Sequence, residues 1–103
     1  MQANTDLSKE NNPDALLAEG VAHSRAGRFE AAMGCFDRSA GLLPSNTAPL
    51  VNRAWVLKRL RRYDEALDNY RQAIALQPGN AELHWNLALL LLGRFAEGFA
   101  ELS

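Results

Sequence analysis

The chain has 103 residues, 48% of them hydrophobic, and a formal net charge of -1 at pH 7. This length predicts one domain with a modest core, and the near-neutral charge argues against a nucleic-acid-binding or membrane-binding protein. A single cysteine, Cys35, cannot form a disulfide within the chain, which favours a reducing, cytoplasmic compartment.

The chain begins with a polar segment, MQANTDLSKENN. It has no apolar run behind a basic head, so it does not predict a secretory signal. We expect a disordered lead-in at residues 1–11 and one folded domain at residues 12–103.

The folded part of the sequence repeats itself. Asn12, Asn46 and Asn80 are equally spaced, which sets a repeat period of about 34 residues. One phrase also occurs three times, as GRFEAAMGCF at 27–36, RRYDEALDNY at 61–70 and GRFAEGFAEL at 93–102. Three copies of one phrase predict a solenoid with repeats at about 13–46, 47–80 and 81–103.

Each repeat carries signals for a pair of helices. Asparagine is a favoured N-cap, and Pro13 directly after Asn12 suits the first helical position. Pro44 and Pro78 follow the second helices, because proline cannot continue a helix. Apolar residues at helical spacing predict an all-α fold with helices at 13–26, 30–42, 47–60, 64–76 and 81–92 and a short helix at 95–102.

This pattern resembles the tetratricopeptide repeat family, whose signature is Trp-x2-Leu-Gly-x2-Tyr, then Ala-x3-Phe, then Pro. The first copy fills these positions with Leu16, Glu19, Gly20, His23, Ala32, Phe36 and Pro44. The second copy fills them with Leu50, Arg53, Ala54, Leu57, Ala66, Tyr70 and Pro78. The resemblance extends from Asn12 onward and implies an α-solenoid of antiparallel helix pairs wound into a right-handed superhelix.

The third copy is shorter than the others. Arg61 follows Gly27 by one full period, but Gly93 follows Arg61 by two positions fewer. A loss of two residues turns the rest of a helix by roughly 200°, and the run LALLLL at 87–92 tolerates that slip. The same run is far shorter than the about 20 apolar residues that span a bilayer, so we expect no membrane span.

No catalytic, cofactor or metal site is expected. His23 and His84 are far apart in sequence, and we expect each to pack at a helix interface. Cys35 lies in a helix interior without a local base, so an inert thiol is favoured. The chain is therefore not expected to be an enzyme.

The resemblance implies a concave groove lined by the first helix of each pair. The implied peptide-binding residues are Leu17, Val21, Arg25, Val51, Asn52, Trp55, Lys58, Arg59, Trp85 and Asn86. A side-chain amide both donates and accepts, so Asn52 and Asn86 can clamp a peptide backbone; the alternative is that they bond neighbouring helix ends. Trp55 and Trp85 are either presented to a partner or packed between repeats.

Charge limits the ligand. Lys58 and Arg59 favour an acidic or neutral peptide. One subfamily grips the carboxylate of chaperone tails with Lys, Arg and Asn residues. Of the positions of this clamp, Leu17, Val21, Glu82 and Asn86 differ and only Asn52 matches, so a chaperone tail is disfavoured.

The leading hypothesis is a non-enzymatic interaction module that binds a peptide or helix of another protein. The alternative is a repeat segment of a longer bacterial enzyme, such as a glycosyltransferase. The third copy resembles repeats that flank such enzymes, and the end of the sequence at Ser103 would agree with a truncation. RNA binding is disfavoured by the repeat period and the net charge.

The third repeat also predicts self-association. A repeat array needs a polar outer surface at its ends. The third copy instead offers apolar residues, namely Leu89, Leu91, Leu92, Phe95, Phe99 and Leu102. We expect a second copy of the chain to cover them in a homodimer, or a natural continuation of the chain to do so.

Overall fold

A computed structural model describes residues 11–102, with side chains up to residue 96. Five α-helices occupy this part of the chain, which contains no strand: α1 (Pro13–Arg25), α2 (Phe29–Leu42), α3 (Ala48–Arg59), α4 (Tyr63–Leu76) and α5 (Ala81–Leu102). The predicted all-α class is confirmed. The predicted lead-in at 1–11 lies outside the described residues apart from Asn11.

The repeated asparagines cap the first helix of each repeat. The Asn12 side-chain oxygen accepts hydrogen bonds from two backbone amides at the start of α1, at 3.0 and 3.2 Å. The Asn80 oxygen accepts from the Glu82 amide at 3.0 Å. Asn46 accepts from the Ala48 amide at 3.1 Å, although Thr47 is the N-cap residue of α3. Each asparagine satisfies an amide that has no partner inside its helix.

In each of the first two helix pairs, the two helices are joined by the same kind of turn. Gly27 has φ +80° and Arg61 has φ +62°, and the two residues lie one repeat period apart. After each of them a backbone amide reaches back five residues, from Arg28 to the His23 carbonyl at 2.9 Å and from Arg62 to the Leu57 carbonyl at 2.8 Å. Glycine adopts this left-handed backbone freely, whereas an arginine does so at a cost.

The helices pack in chain order. α1 packs on α2 and α3 on α4, while α2 contacts α3 and α4 contacts α5. The core is one cluster that includes Phe36, Leu57, Leu67, Tyr70 and Leu90, so it runs through all three repeats. Contacts between neighbours and a continuous core define an α-solenoid, as predicted.

The predicted turn at Gly93 is wrong. α5 is one helix of 22 residues from Ala81 to Leu102, so the third repeat has no second helix folded back on its first. Within the described residues, no helix, α5 included, is long and apolar enough to cross a membrane.

Candidate peptide-binding groove

One face of α3 carries half of the predicted groove residues. Val51, Asn52, Trp55, Lys58 and Arg59 recur at steps of three or four positions, so they share a face of the helix. Val51 is half-buried against the core, whereas the Trp55 ring is 45% exposed and Lys58 and Arg59 are exposed. Trp55 is therefore presented on the surface and not packed between repeats.

A cation lies over the exposed tryptophan. The Arg59 guanidinium carbon is 5.6 Å from the centroid of the Trp55 ring. A cation at this distance is attracted to the negative face of the ring, and the contact limits the rotamers of both side chains. The pair therefore forms a defined aromatic and cationic feature in the middle of the chain.

Asn52 bonds to its own helix. Its side-chain nitrogen donates to the Ala48 carbonyl at 3.0 Å, and the residue is half-buried. This bond resembles the alternative role of Asn52, which was a bond to a neighbouring helix end, except that the acceptor lies in the same helix. It uses only one of the four hydrogen bonds that a side-chain amide can make. Asn86 on α5 is also half-buried.

The other predicted groove residues lie on α1 and α5. Leu17 and Val21 are half-buried and pack against the core, and Arg25 is exposed near the end of α1. Trp85 on α5 is 64% exposed. The apolar surface available to a partner thus comes from α3 and α5 more than from α1. Whether a peptide lies across these residues stays a prediction.

A cleft among the described residues lies outside the predicted groove. It has a volume of about 410 Å³ and is lined by Ala40, Pro44, Asn46, Leu50, Gln72, Ala75 and Leu76. None of these is a predicted groove residue. An extended peptide lies along the open surface of a solenoid, so the volume of a cleft does not indicate where such a peptide binds.

A polar cluster between α1 and α2 was missed. Ligand atoms of Glu19, His23 and Cys35 lie within 4.8 Å of one another, a grouping that the sequence analysis does not predict. The spacing of Glu19 and His23 by four residues was visible in the sequence, but the approach of Cys35 follows only from the packing of α1 on α2.

The contacts of this cluster are those of a hydrogen-bonded network. The Cys35 thiol donates to the Glu19 carboxylate at 3.5 Å, and the Arg28 side chain donates to His23 Nδ1 at 3.0 Å. Arg38 lies 3.8 Å from the Cys35 sulfur. Burial raises the pKa of the Cys35 thiol above its ordinary value, which keeps it protonated and unreactive. Two arginines supply positive charge here, so the arrangement does not require a cation.

His84 differs from the expected interface histidine. It is exposed, and its Nε2 lies 2.9 Å from the Pro78 carbonyl oxygen. The ring therefore contacts the turn between α4 and α5.

Opposite faces of α5 have opposite environments. Leu83 and Leu90 are buried against the solenoid. On the far side, an exposed stripe, called here the outer face, consists of Trp85, Ala88, Leu91, Leu92 and Phe95. Leu89, also predicted to self-associate, is exposed beside it, while the side chains of Phe99 and Leu102 lie outside the described part.

Comparison with known proteins identifies the repeat. A family model described as "TPR repeat" matches residues 56–93. An inactive TPR repeat-containing thioredoxin (TTL3) of Arabidopsis thaliana is 36% identical over 81 residues, which is 79% of this chain and 12% of that protein. The Hsp70-Hsp90 organizing protein of Triticum aestivum is 35% identical over 80 residues, covering 78% of this chain and 14% of its own length.

A solved structure supports the fold. A mutant of MamA superposes with a TM-score of 0.65 at 24% identity, covering 84% of this chain and 64% of that one. The chain spans only 12–14% of the length of the two plant relatives.

Proposed function

The chain belongs to the tetratricopeptide repeat family, and on that premise we propose that it is a non-enzymatic module that binds a peptide or helix of a partner protein. The partner lies across the first helices of the repeats. The residues proposed to contact it are Leu17, Val21, Arg25, Val51, Asn52, Trp55, Lys58, Arg59, Trp85 and Asn86.

The exposed pair of Trp55 and Arg59 is the observation that supports this proposal most directly. Tryptophan and arginine are among the residues most enriched at binding hot spots. Here they are stacked at 5.6 Å on one rigid helix, so little side-chain entropy is lost when a partner covers them. An exposed tryptophan with no partner would only add apolar surface to a small protein.

The charge on this face favours an acidic or neutral partner. Lys58 and Arg59 are exposed on the α3 face and Arg25 is exposed at the end of α1, while Glu82 is exposed in the first turn of α5. Rim charges of this kind set association rate and specificity more than affinity. Binding is therefore expected to weaken modestly as salt is raised to physiological levels.

A chaperone tail is not the proposed ligand. The name of the wheat relative connects that protein with Hsp70 and Hsp90. In this chain Leu17, Val21, Glu82 and Asn86 replace the residues that a carboxylate clamp requires, and only Asn52 matches. A Glu82 carboxylate would repel the terminal carboxylate of such a tail.

A peptide-display selection tests the groove. Peptides enriched on the wild-type chain are measured against Trp55→Ala and against the matched control Leu43→Ala, which alters an exposed leucine outside the predicted groove. We expect Trp55→Ala to weaken binding about 30-fold or more and the control to leave it unchanged. Enriched peptides that bind Trp55→Ala as well as wild type, or that are predominantly basic, would contradict the proposal.

A second candidate is a scaffolding segment within a longer protein, such as a glycosyltransferase. The small share of the plant relatives that this chain spans supports it, since in them such repeats form one part of a larger protein. The length of the natural open reading frame distinguishes the two candidates. A cytoplasmic location is proposed with both, on the unpaired cysteine.

A further inference from the structure

Equivalent positions in the second and third repeats have different environments. Ala54 and Leu57 on α3 are 0% exposed. Their equivalents one period later, Ala88 and Leu91, are on the outer face of α5; Ala88 is exposed and Leu91 is 44% exposed. The same face of the first helix is thus buried in the second repeat and exposed in the third.

The second helix of each repeat explains the difference. Ala54 and Leu57 belong to one cluster with Ala66, Leu67 and Tyr70 of α4. In the first repeat, a Cβ atom added at the equivalent Gly20 would lie 2.5 Å from Phe36 of α2. Within residues 11–102, the third repeat has no such cover, because α5 continues through Gly93 as one helix.

We propose that a second copy of this chain covers the outer face. This assigns Trp85 to the interface between copies, so in the dimer the proposed peptide groove keeps Trp55 and Arg59 but not Trp85. Residues 93–102 repeat the phrase that forms the covering helix in the first two repeats, GRFEAAMGCF and RRYDEALDNY. Because α5 is straight, these residues cannot cover their own repeat, but they can cover that of another copy. Two α5 helices packed antiparallel about a two-fold axis near Gly93 supply each other with the missing helix.

The position of the two-fold axis near Gly93 determines which residues of the two α5 helices face each other. Leu92 of one copy faces Phe95 of the other, and the N-terminal half of each α5 lies along the C-terminal half of its mate. Apolar side chains recur every three or four positions on the outer face from Trp85 to Phe95, so the seam stays continuous. Each copy contributes both the exposed face and its cover.

Between Trp85 and Ala96, charge does not oppose this packing. Between Trp85 and Ala96 the only charged residue of α5 is Arg94. Its guanidinium lies 2.8 Å from the Asp64 carboxylate at the start of α4, on the side of α5 that faces the solenoid. Pairing two outer faces therefore buries no charge in this segment.

The available area reaches what a stable pair needs. Trp85, Leu92 and Phe95 are 64–70% exposed. Aromatic side chains bury about 150–250 Å² each, so with Leu91 these residues offer about 400 Å² per copy. Two copies bury about 800 Å² from them alone, and the exposed Ala88 and Leu89 add to this area, so the pair approaches the about 1,000 Å² that a biological interface should clear.

Sedimentation equilibrium over about 1–100 µM measures the proposed dimer. We expect the wild-type chain to dimerise and Leu92→Glu to raise the dissociation constant at least about 30-fold. Leu43→Glu is the matched control, because Leu43 is also an exposed leucine and lies on another part of the chain. A monomeric wild-type chain with α5 intact by circular dichroism, or equal dissociation constants for wild type and Leu92→Glu, would overturn the proposal.

Engineered cysteines test the antiparallel orientation. In the proposed pair, the two copies of residue 92 are offset along the helix axis by about 4.5 Å and those of residue 88 by about 16 Å. We expect Leu92→Cys to form disulfide-linked dimers under mild oxidation and Ala88→Cys not to form them. The wild-type chain controls for Cys35, which is buried. Cross-linking of Ala88→Cys as fast as Leu92→Cys indicates a parallel pair and overturns the inference.

Discussion

The tripeptide Gly-Arg-Phe occurs at residues 27–29 and again at residues 93–95, with different structures. At the first site Gly27 has φ +80° and ends the turn between α1 and α2. At the second site the same three residues lie in the interior of α5. An identical short sequence thus reverses the chain once and continues a helix once.

The flanking residues explain this difference. Before Gly27 the sequence Ser-Arg-Ala is largely polar, so the end of α1 gains nothing by extending its buried face. Before Gly93 stand four leucines, and extending the helix keeps their apolar stripe in line with Phe95. A glycine inside a helix costs only about 0.5–1 kcal/mol relative to alanine, which a longer stripe can offset. The turn is decided by what surrounds the tripeptide.

The largest expected effect contrasts a covered with an uncovered position. Leu57→Ala removes a fully buried side chain and should lower the free energy of unfolding by about 2–5 kcal/mol. Leu91→Ala, at the equivalent position of α5, should lower it by less than about 1 kcal/mol. Urea unfolding at about 1 µM protein, where self-association contributes least, measures both. Equal losses would mean that α5 is covered within the monomer.

Gly20 gives the next largest effect. A Cβ atom there would lie 2.5 Å from Phe36 Cε1 and 3.1 Å from Cys35 Cβ, and Phe36 is itself buried. Gly20→Ala is therefore expected to destabilise the fold by about 1–3 kcal/mol through overpacking, although alanine is the better helix former. The unfolding midpoint in urea reports the change. A stabilised Gly20→Ala variant would show that the first helix pair is looser than the structure indicates.

The two glycines of the repeated tripeptide should respond with opposite signs. Gly27→Ala places a side chain at φ +80° and should cost about 1 kcal/mol. Gly93→Ala lies in a helix with nothing within 4 Å of the added carbon, so it should stabilise α5 by about 0.5–1 kcal/mol. Thermal unfolding of the two variants tests the contrast. Destabilisation by Gly93→Ala would indicate that a turn forms there in solution.

The smallest effect concerns the ion pair that joins α5 to α4. The Arg94 guanidinium lies 2.8 Å from the Asp64 carboxylate, and both groups are largely exposed. A double-mutant cycle with Arg94→Ala and Asp64→Ala should give a coupling of about 0.2–1 kcal/mol that diminishes with added salt. Zero coupling at low salt would show that this ion pair does not help to hold α5 on α4.

The sequence predicted the local signals of the fold well. The repeat period located the three asparagines that accept from backbone amides at helix starts, although Thr47 is the N-cap of α3, and both turns at Gly27 and Arg61. For the first four helices the predicted ends differ from the observed ones by at most one residue, as at the starts of α2 and α4, whereas α5 extends ten residues beyond its predicted end at residue 92. These features depend on a few neighbouring residues, which the sequence displays directly.

The prediction failed where the structure depends on packing. The phrase at 93–102 predicted a turn because its two earlier copies have one, but those copies have polar residues before the turn and the third has leucines. The approach of Cys35 to Glu19 likewise depends on how α1 and α2 pack. The groove residues remain a prediction, since exposure alone does not identify what a surface binds.

Arg53 contacts two repeats at once. Its Nη1 donates to the Asn69 side chain on α4 at 3.2 Å, and its Nε lies 3.1 Å from the Asp37 carboxylate on α2. In a linear array, the ion pair with Asp37 contributes to the coupling between the first and second repeats, whereas the hydrogen bond to Asn69 belongs to the intrinsic stability of the second repeat. Losing α2 would leave Arg53 without one partner, so this side chain adds a small increment, of the size of an exposed ion pair, to the cooperativity of unfolding.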